Sequence, residues 1–277
     1  MNAAEDGGQR LAKRSVRWHR SAAFDILQFA ALVGGLAWII VRGAKSMGYN
    51  WQWGKVPRLI YRVVDGELIL GPLIKGLLVT LDITWIAMIL TIAIGAGVAM
   101  LRLSPSIVGQ ALAWCYVELV RNTPILVQIL IIYFIIGQIF AIPRFWAGVL
   151  CLSLYEGAFA AEIIRGGVVS VRKGQWEASR SLGLSEFNTY RDIVIPQAIP
   201  LILPPLAGVL VNLVKHSAIV SVIAVFDLAT QARTVVSDTF LAFEVWFTAA
   251  VMYLIITIGL SLVASILEKR YSQSSRA

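Results

Sequence analysis

Asp82, Glu118, Glu156 and Glu162 are carboxylates that lie inside runs otherwise apolar. Arg121, Arg165, Lys215 and the pair His216-Ser217 interrupt the same runs. A charge in hydrocarbon is expensive, so each of these groups needs a partner or a watered path. Glu118 and Arg121 are three apart, as are Glu162 and Arg165, which puts each pair on one helical face as an ion pair. Asp82 and Glu156 have no basic residue close in sequence. They are left with a distant partner such as Lys75, with protonation, or with a cavity that receives a zwitterionic or cationic solute. Lys215 either snorkels to the interface or borders such a path.

Other chemistries find no support. Ser217 and His216 are adjacent, so on a helix they point different ways and do not make a nucleophile and its base. Cys115 and Cys151 sit in apolar runs and read as small buried thiols rather than as a disulfide or metal pair. The two histidines, His19 and His216, match no zinc-site spacing. No G-x-x-x-x-G-K-[ST] occurs; "GAGVAM" (95–100) is a set of small residues in a span. Catalytic residues, metal ligands and bound cofactors are therefore not assigned to this chain.

The elements that carry these residues are membrane helices. The chain has 277 residues, of which 58% are hydrophobic and 14% charged, and its mean hydropathy is +0.76. A soluble domain of this size needs far more charge for its surface. Runs long enough to cross ~30 Å of hydrocarbon explain the excess. The expected fold is an all-α integral membrane protein of six spans: about 24–41, 72–101, 124–140, 145–164, 199–222 and 243–267. The third is short, and 107–121 can join it as one kinked helix, with Pro124 at the first helical position and Thr123 as its cap. A basic segment with Arg10, Lys13, Arg14, Arg17 and Arg20 precedes the first span, which reads as an uncleaved anchor. Residues 42–71 form a polar connector containing Trp51, Trp53 and Tyr61, and 219–242 is open to a re-entrant loop. The organisation is thus 1–71 (basic segment, first span and connector), 72–268 (membrane domain) and 269–277 (tail). Lys and Arg outside the spans favour both termini in the cytoplasm, although Arg42, Lys45, Lys55, Arg58 and Arg62 run against the trend. The net charge of +8 fits anionic lipid headgroups better than nucleic acid, because the basic residues flank the spans.

One polar insert stands apart: "GQWEASRSLGLSEFNTYRDIVIP" (174–196). Gly183 is a natural helix stop, Ser185 can cap a second helix, and Pro196 opens the following span. Two short helices joined by a tight turn would project from the membrane face. A solvated loop and a lipid-lying helix compete with a docking knob for a cytoplasmic partner. A DNA-reading helix–turn–helix fits poorly, because Arg180 and Arg191 are balanced by Glu177, Glu186 and Asp192. Docking explains the charge, the turn and the location together.

Within this insert, Glu177-Ala178-Ser179, three residues, Gly183, nine residues and Ile193-x-Ile195-Pro196 resemble the EAA loop of ABC importer permeases. Ser179 replaces the family's second alanine, and Ile195 replaces its leucine. "YVELVRNTPILVQILIIYF" (116–134) is similar to the R-x-T-P-x-x-x-Q segment of the polar amino-acid subfamily, carried here by Arg121, Thr123, Pro124 and Gln128. "AAEIIRGGVVSVRKGQWEA" (160–178) and "IVIPQAIP" (193–200) resemble that subfamily as well. The subfamily's lysine, polar residue and T-S-L are replaced by Lys215-His216-Ser217-Ala218, which unsettles any gate role there. The resemblance covers roughly 72–268 and leaves 1–71 as an extension with one extra helix before a five-helix core.

The resemblance implies an amino-acid permease subunit of the bacterial inner membrane. Its implied partners are a second permease, identical or homologous, two cytoplasmic ABC ATPase subunits holding ATP and Mg, and an extracytoplasmic amino-acid-binding protein. It implies coupling through Glu177, Ala178, Ser179, Leu182, Gly183, Leu184, Ile193, Ile195 and Pro196. Glu177 would anchor in the partner, Gly183 permit the turn, and Leu182, Leu184 and Ile193 hold the knob against its own helices. The candidate solute path comprises Asp82, Glu118, Arg121, Thr123, Gln128, Glu156, Lys215 and Ser217. A stand-alone secondary transporter and, less well supported, an intramembrane enzyme are the alternative readings; neither needs an EAA-like knob.

Overall fold

The computed structural model describes residues 22–274. The basic segment 1–21 and the last three residues lie outside the described part. Two compact units divide at Trp51 and Gln52. In the first, α1 (Ala22–Ser46) is apolar enough to span a membrane from Phe24 to Ser46. It extends past the expected end at Val41.

The second unit begins with a surprise for an all-α reading. A short helix α2 (Pro57–Ile60) leads into β1 (Tyr61–Val64) and β2 (Glu67–Leu70), an antiparallel hairpin in which Val64 pairs with Glu67. Asp65 and Gly66 form its turn with φ of 53° and 81°. Two positive φ values are what a tight hairpin turn requires, and Asp-Gly is the dipeptide that adopts them most readily. The sequence signal was present but lay in a stretch read as polar connector. The Gln52 amide donates to Glu244 Oε1 at 2.6 Å, and Trp53 lies 6.4 Å from Phe247, so the connector is seated on the end of the last helix.

Five helices then build the core: α3 (Pro72–Leu103), α6 (Arg144–Val169), α8 (Glu186–Ile223), α10 (Ala242–Ser274) and the broken pair α4 (Ile107–Arg121) and α5 (Ile125–Ile139). The pair bends by 108° between its halves. Counting α1, five helices among the described residues are long and apolar enough to span, and six only if the bent pair is one span. Pro124 precedes the first turn of α5 rather than occupying it, and Thr123 is not a cap: its hydroxyl donates back to Leu119 O at 2.7 Å. The end of α4 takes that hydroxyl because the chain turns away before α5 can use it.

Helices α3 and α6 form the centre. A Cβ on Gly95 would come within 2.7 Å of Ala160 Cβ, so only glycine lets the two backbones approach this closely. Ala160, Leu206 and Val209 are buried at this contact, and Ile83, Ala87, Cys151, Leu152 and Leu213 form a larger buried cluster further along the bundle. At one end of the bundle α9 (Leu228–Thr239) packs on α3, where the Leu228 amide donates to Thr80 Oγ1 at 3.1 Å. Asp227 caps α9 by accepting from the Ala229 and Thr230 amides. Burial pushes its carboxyl above the usual range, against the opposing pull of those hydrogen bonds. Within the stretch read as open to a re-entrant loop, residues 228–239 thus form a capped helix.

Candidate functional site

The far end of the bundle carries the elbow. Helix α7 (Lys173–Ser181) closes with the Gly183 amide donating to Arg180 O at 2.9 Å and the Leu184 amide donating to Ser179 O at 3.1 Å. This pair of bonds is the Schellman closure, and it needs a left-handed residue after the helix. Gly183 supplies it with φ of 71°, and a Cβ there would meet nothing within 4 Å, so the demand is conformational rather than steric. Ser185 then accepts from the Asn188 amide at 3.3 Å and starts α8 as expected.

The second arm differs from expectation. It is not a separate short helix but the first turns of α8, which runs from Glu186 to Ile223 without interruption. A π-helical stretch (Thr189–Val194) precedes Pro196, which sits within the first turns of the regular helix that follows. Ser179, standing where the family has alanine, is buried and receives a hydrogen bond from Thr189 Oγ1 at 3.2 Å. Trp176 and Tyr190 meet edge to face at 5.2 Å. These contacts fasten α7 to α8. Leu182 does not hold the knob together: it is 77% exposed, as is Phe187 at 71%. Glu177 and Ala178 are exposed, Ile195 and Pro196 are exposed on α8, and Leu184 and Ile193 are half-buried. A cavity of about 790 Å³, walled by Met100, Leu103, Val168, Trp176, Leu184 and Ile202, lies between the elbow and the end of α3, where Leu103 packs against the cluster of Val168, Val171, Val194 and Ala198.

A second constellation lies along α6. Tyr155, Phe159 and Glu162 are spaced four and three apart, so they share one face. The Arg121 guanidinium sits 5.3 Å over the Phe159 ring. Phe159 and Tyr155 are 5.3 Å apart, and Tyr155 meets His216 edge to face at 5.6 Å. His216 Nδ1 is 2.7 Å from Glu156 Oε1. Toward the elbow, Glu162 bonds both Arg102 and Arg165, the latter at 3.0 Å. The Glu162–Arg165 pair forms as its spacing indicates, with Arg102 as a third member that the local sequence could not reveal. Glu118 and Arg121 do not pair: Glu118 accepts from Asn122 Nδ2 at 2.9 Å while Arg121 covers Phe159.

Three residues expected along a path have other work. Gln128 Nε2 donates to Val120 O at 2.8 Å and Thr123 O at 3.0 Å, carbonyls that the bend frees from helical bonding. Thr123 and Gln128 thus hold the break between α4 and α5. Ser217 is fully buried and donates to Val214 O at 2.7 Å, inside the helical packing. Lys215 is exposed beside Ala250, Tyr253, Leu254 and Thr257 of α10, away from Tyr155. Asp82 is exposed on α3 and, among the described residues, makes no ion pair. His216 was missed as a partner of Glu156, since sixty residues separate them.

A bundle of apolar helices with a charged elbow at one end and a polar-aromatic track along its central helix has the architecture of a membrane permease. Residues 89–273 match the model of the binding-protein-dependent transport system inner membrane component, and the chain belongs to that family. It is 40% identical over 196 residues to the probable glutamine ABC transporter permease protein GlnM of Bacillus subtilis, covering 70% of this chain and 91% of that one. It is 36% identical over 229 residues to the glutamine transport system permease protein GlnP of Escherichia coli K12, covering 81% and 98%. The structure of an amino acid ABC transporter with histidines superposes with a TM-score of 0.67 at 39% identity, over 72% of this chain and 94% of that chain. A MetNI methionine ABC transporter chain shares the fold, with a TM-score of 0.65 at 19% identity over 72% and 96%.

Proposed function

We propose that this chain is the membrane-spanning subunit of an ATP-driven amino-acid importer, fed by an extracytoplasmic binding protein and paired with a second permease. Two cytoplasmic ATPase subunits dock on the paired elbows and hold the ATP and Mg²⁺. The elbow lies in the cytoplasm with both termini, in the inner membrane of a bacterium. The observation that carries this reading is the continuity of α8. Its first turn belongs to the elbow, and His216, thirty residues and ~45 Å of helical rise further on, belongs to the track.

Closure of the ATPase pair moves Glu177, Ala178, Leu182 and Phe187 with the groove they occupy. Helix α8 runs from the elbow to the track, so the displacement reaches His216 and Tyr155 along it. Exposed charges at membrane depth must face water or protein, and pairing two copies encloses Arg121, Phe159 and Tyr155 in a shared passage. A motor shifts such an equilibrium only through contacts that differ between its states, and the elbow supplies them. The test is a purified complex in proteoliposomes. Ala178→Cys is expected to cross-link to the ATPase subunit, and uptake of labelled glutamine to require ATP. Uptake by this chain alone would overturn the reading.

A further inference from the structure

Glu156 is 2% exposed, and its one ionic partner among the described residues is His216, whose side chain is 34% exposed. The other ring nitrogen, Nε2, has no hydrogen bond among the described residues. A lone carboxylate at this depth is costly, and the 2.7 Å contact with the His216 ring gives Glu156 the partner it needs. We infer that this pair is a charge filter: His216 occupies the buried carboxylate, so the track admits net-neutral amino acids and turns away cationic ones. The inference rests on the permease reading above.

Three features of the track act together. A cationic side chain reaching Glu156 must displace His216 and leave the imidazole without its carboxylate. Arg121, at the other end of the Phe159–Tyr155 pair, repels a second cation and already covers the Phe159 face that would otherwise attract one. The nearest further carboxylate on α6, Glu162, is held by Arg102 and Arg165. Asp82 is on α3 and makes no ion pair with the track among the described residues. A zwitterion meets no such obstacle: its carboxylate suits Arg121, and a polar neutral side chain suits the unpartnered Nε2 of His216. The sequence alone left both a zwitterionic and a cationic solute open, because it did not reveal that His216 meets Glu156.

The test is displacement of tritiated glutamine from the detergent-solubilised transporter complex, with the binding protein left out so that its own selectivity plays no part. The competitors are homoserine and 2,4-diaminobutyrate, equal in heavy-atom count and differing by a hydroxyl against an ammonium. Homoserine is expected to displace glutamine about tenfold better in the wild type, a difference that a single charge contact can produce. In H216N the 2,4-diaminobutyrate is expected to gain about tenfold relative to homoserine, and in E156Q/H216N that gain disappears. Equal potency in the wild type, no displacement by homoserine, a gain that survives in the double variant, or equal loss of both competitors in H216N overturns the filter. A wild-type complex that holds no glutamine sinks the permease reading and the filter with it. One that holds glutamine without discriminating sinks the filter alone.

Discussion

The elbow and the track put the same physical problem, holding charged groups at a membrane protein's working surface, under opposite constraints. At the elbow, water solvates Glu177 and Arg180, so no partner within the chain is needed and the geometry is set by local backbone rules. Gly183 and Ser185 are two residues apart and fix the turn between them. Along the track, three charges have partners far away in sequence: Glu156 with His216, Glu162 with Arg102, and Arg121 with Phe159. The fold of the first region rests on its backbone rather than on its charges. The second tolerates little change in its charges.

Replacing Arg121 by alanine gives the strongest contrast. A hydrogen bond to a charged group contributes about 1.5–3 kcal/mol, so uptake is expected to fall by roughly thirtyfold while the ATPase still co-purifies and hydrolyses ATP. Lysine at the same position should recover part of the loss. Uptake that survives alanine would remove Arg121 from the track.

Gly183→Val attacks the other region through its backbone. A left-handed conformation costs a non-glycine residue about 1–2 kcal/mol, and a β-branched one sits at the high end. Solute moved per ATP hydrolysed is expected to drop about tenfold with binding of glutamine intact. Gly183→Asn should restore most of the coupling, since asparagine enters that conformation more readily. If valine and asparagine behave alike, the turn is not what transmits the motion.

Gln128 tests the boundary between the two. It was legible as part of a motif, yet its task was not, because nothing in a one-dimensional pattern says that the chain bends by 108° at Asn122–Pro124. Removing its amide with Gln128→Ala leaves the Val120 and Thr123 carbonyls without it, at about 1–3 kcal/mol for a buried unsatisfied group. The expected outcome is a lower melting temperature in detergent with an unchanged ratio of solute to ATP. The same limit explains the other departures. Most spans and the elbow's turn were readable from apolar run length, Gly183 and Ser185, all local, whereas Pro196 does not open a span because α8 is already running there. His216 with Glu156 and Arg102 with Glu162 are long-range choices made by packing. Leu182 looked like core because it is leucine, and only the elbow's orientation shows that it points outward.

The finest test uses one chemistry in both places. Ser185 caps the start of α8 by accepting from Asn188 N, and Ser106 caps the start of α4 by accepting from Gly109 N. Each loses about 1 kcal/mol of cap on substitution by alanine. Ser185→Ala loosens the elbow where α8 receives its motion, so the expected change is in solute per ATP, by about fivefold or less. Ser106→Ala loosens the helix that ends at Arg121, so the expected change is in the KM for uptake, with solute per ATP unaltered. Equal destabilisation with exchanged or identical readouts would mean that the elbow and the track are not separable parts, and that α8 is not the member joining them.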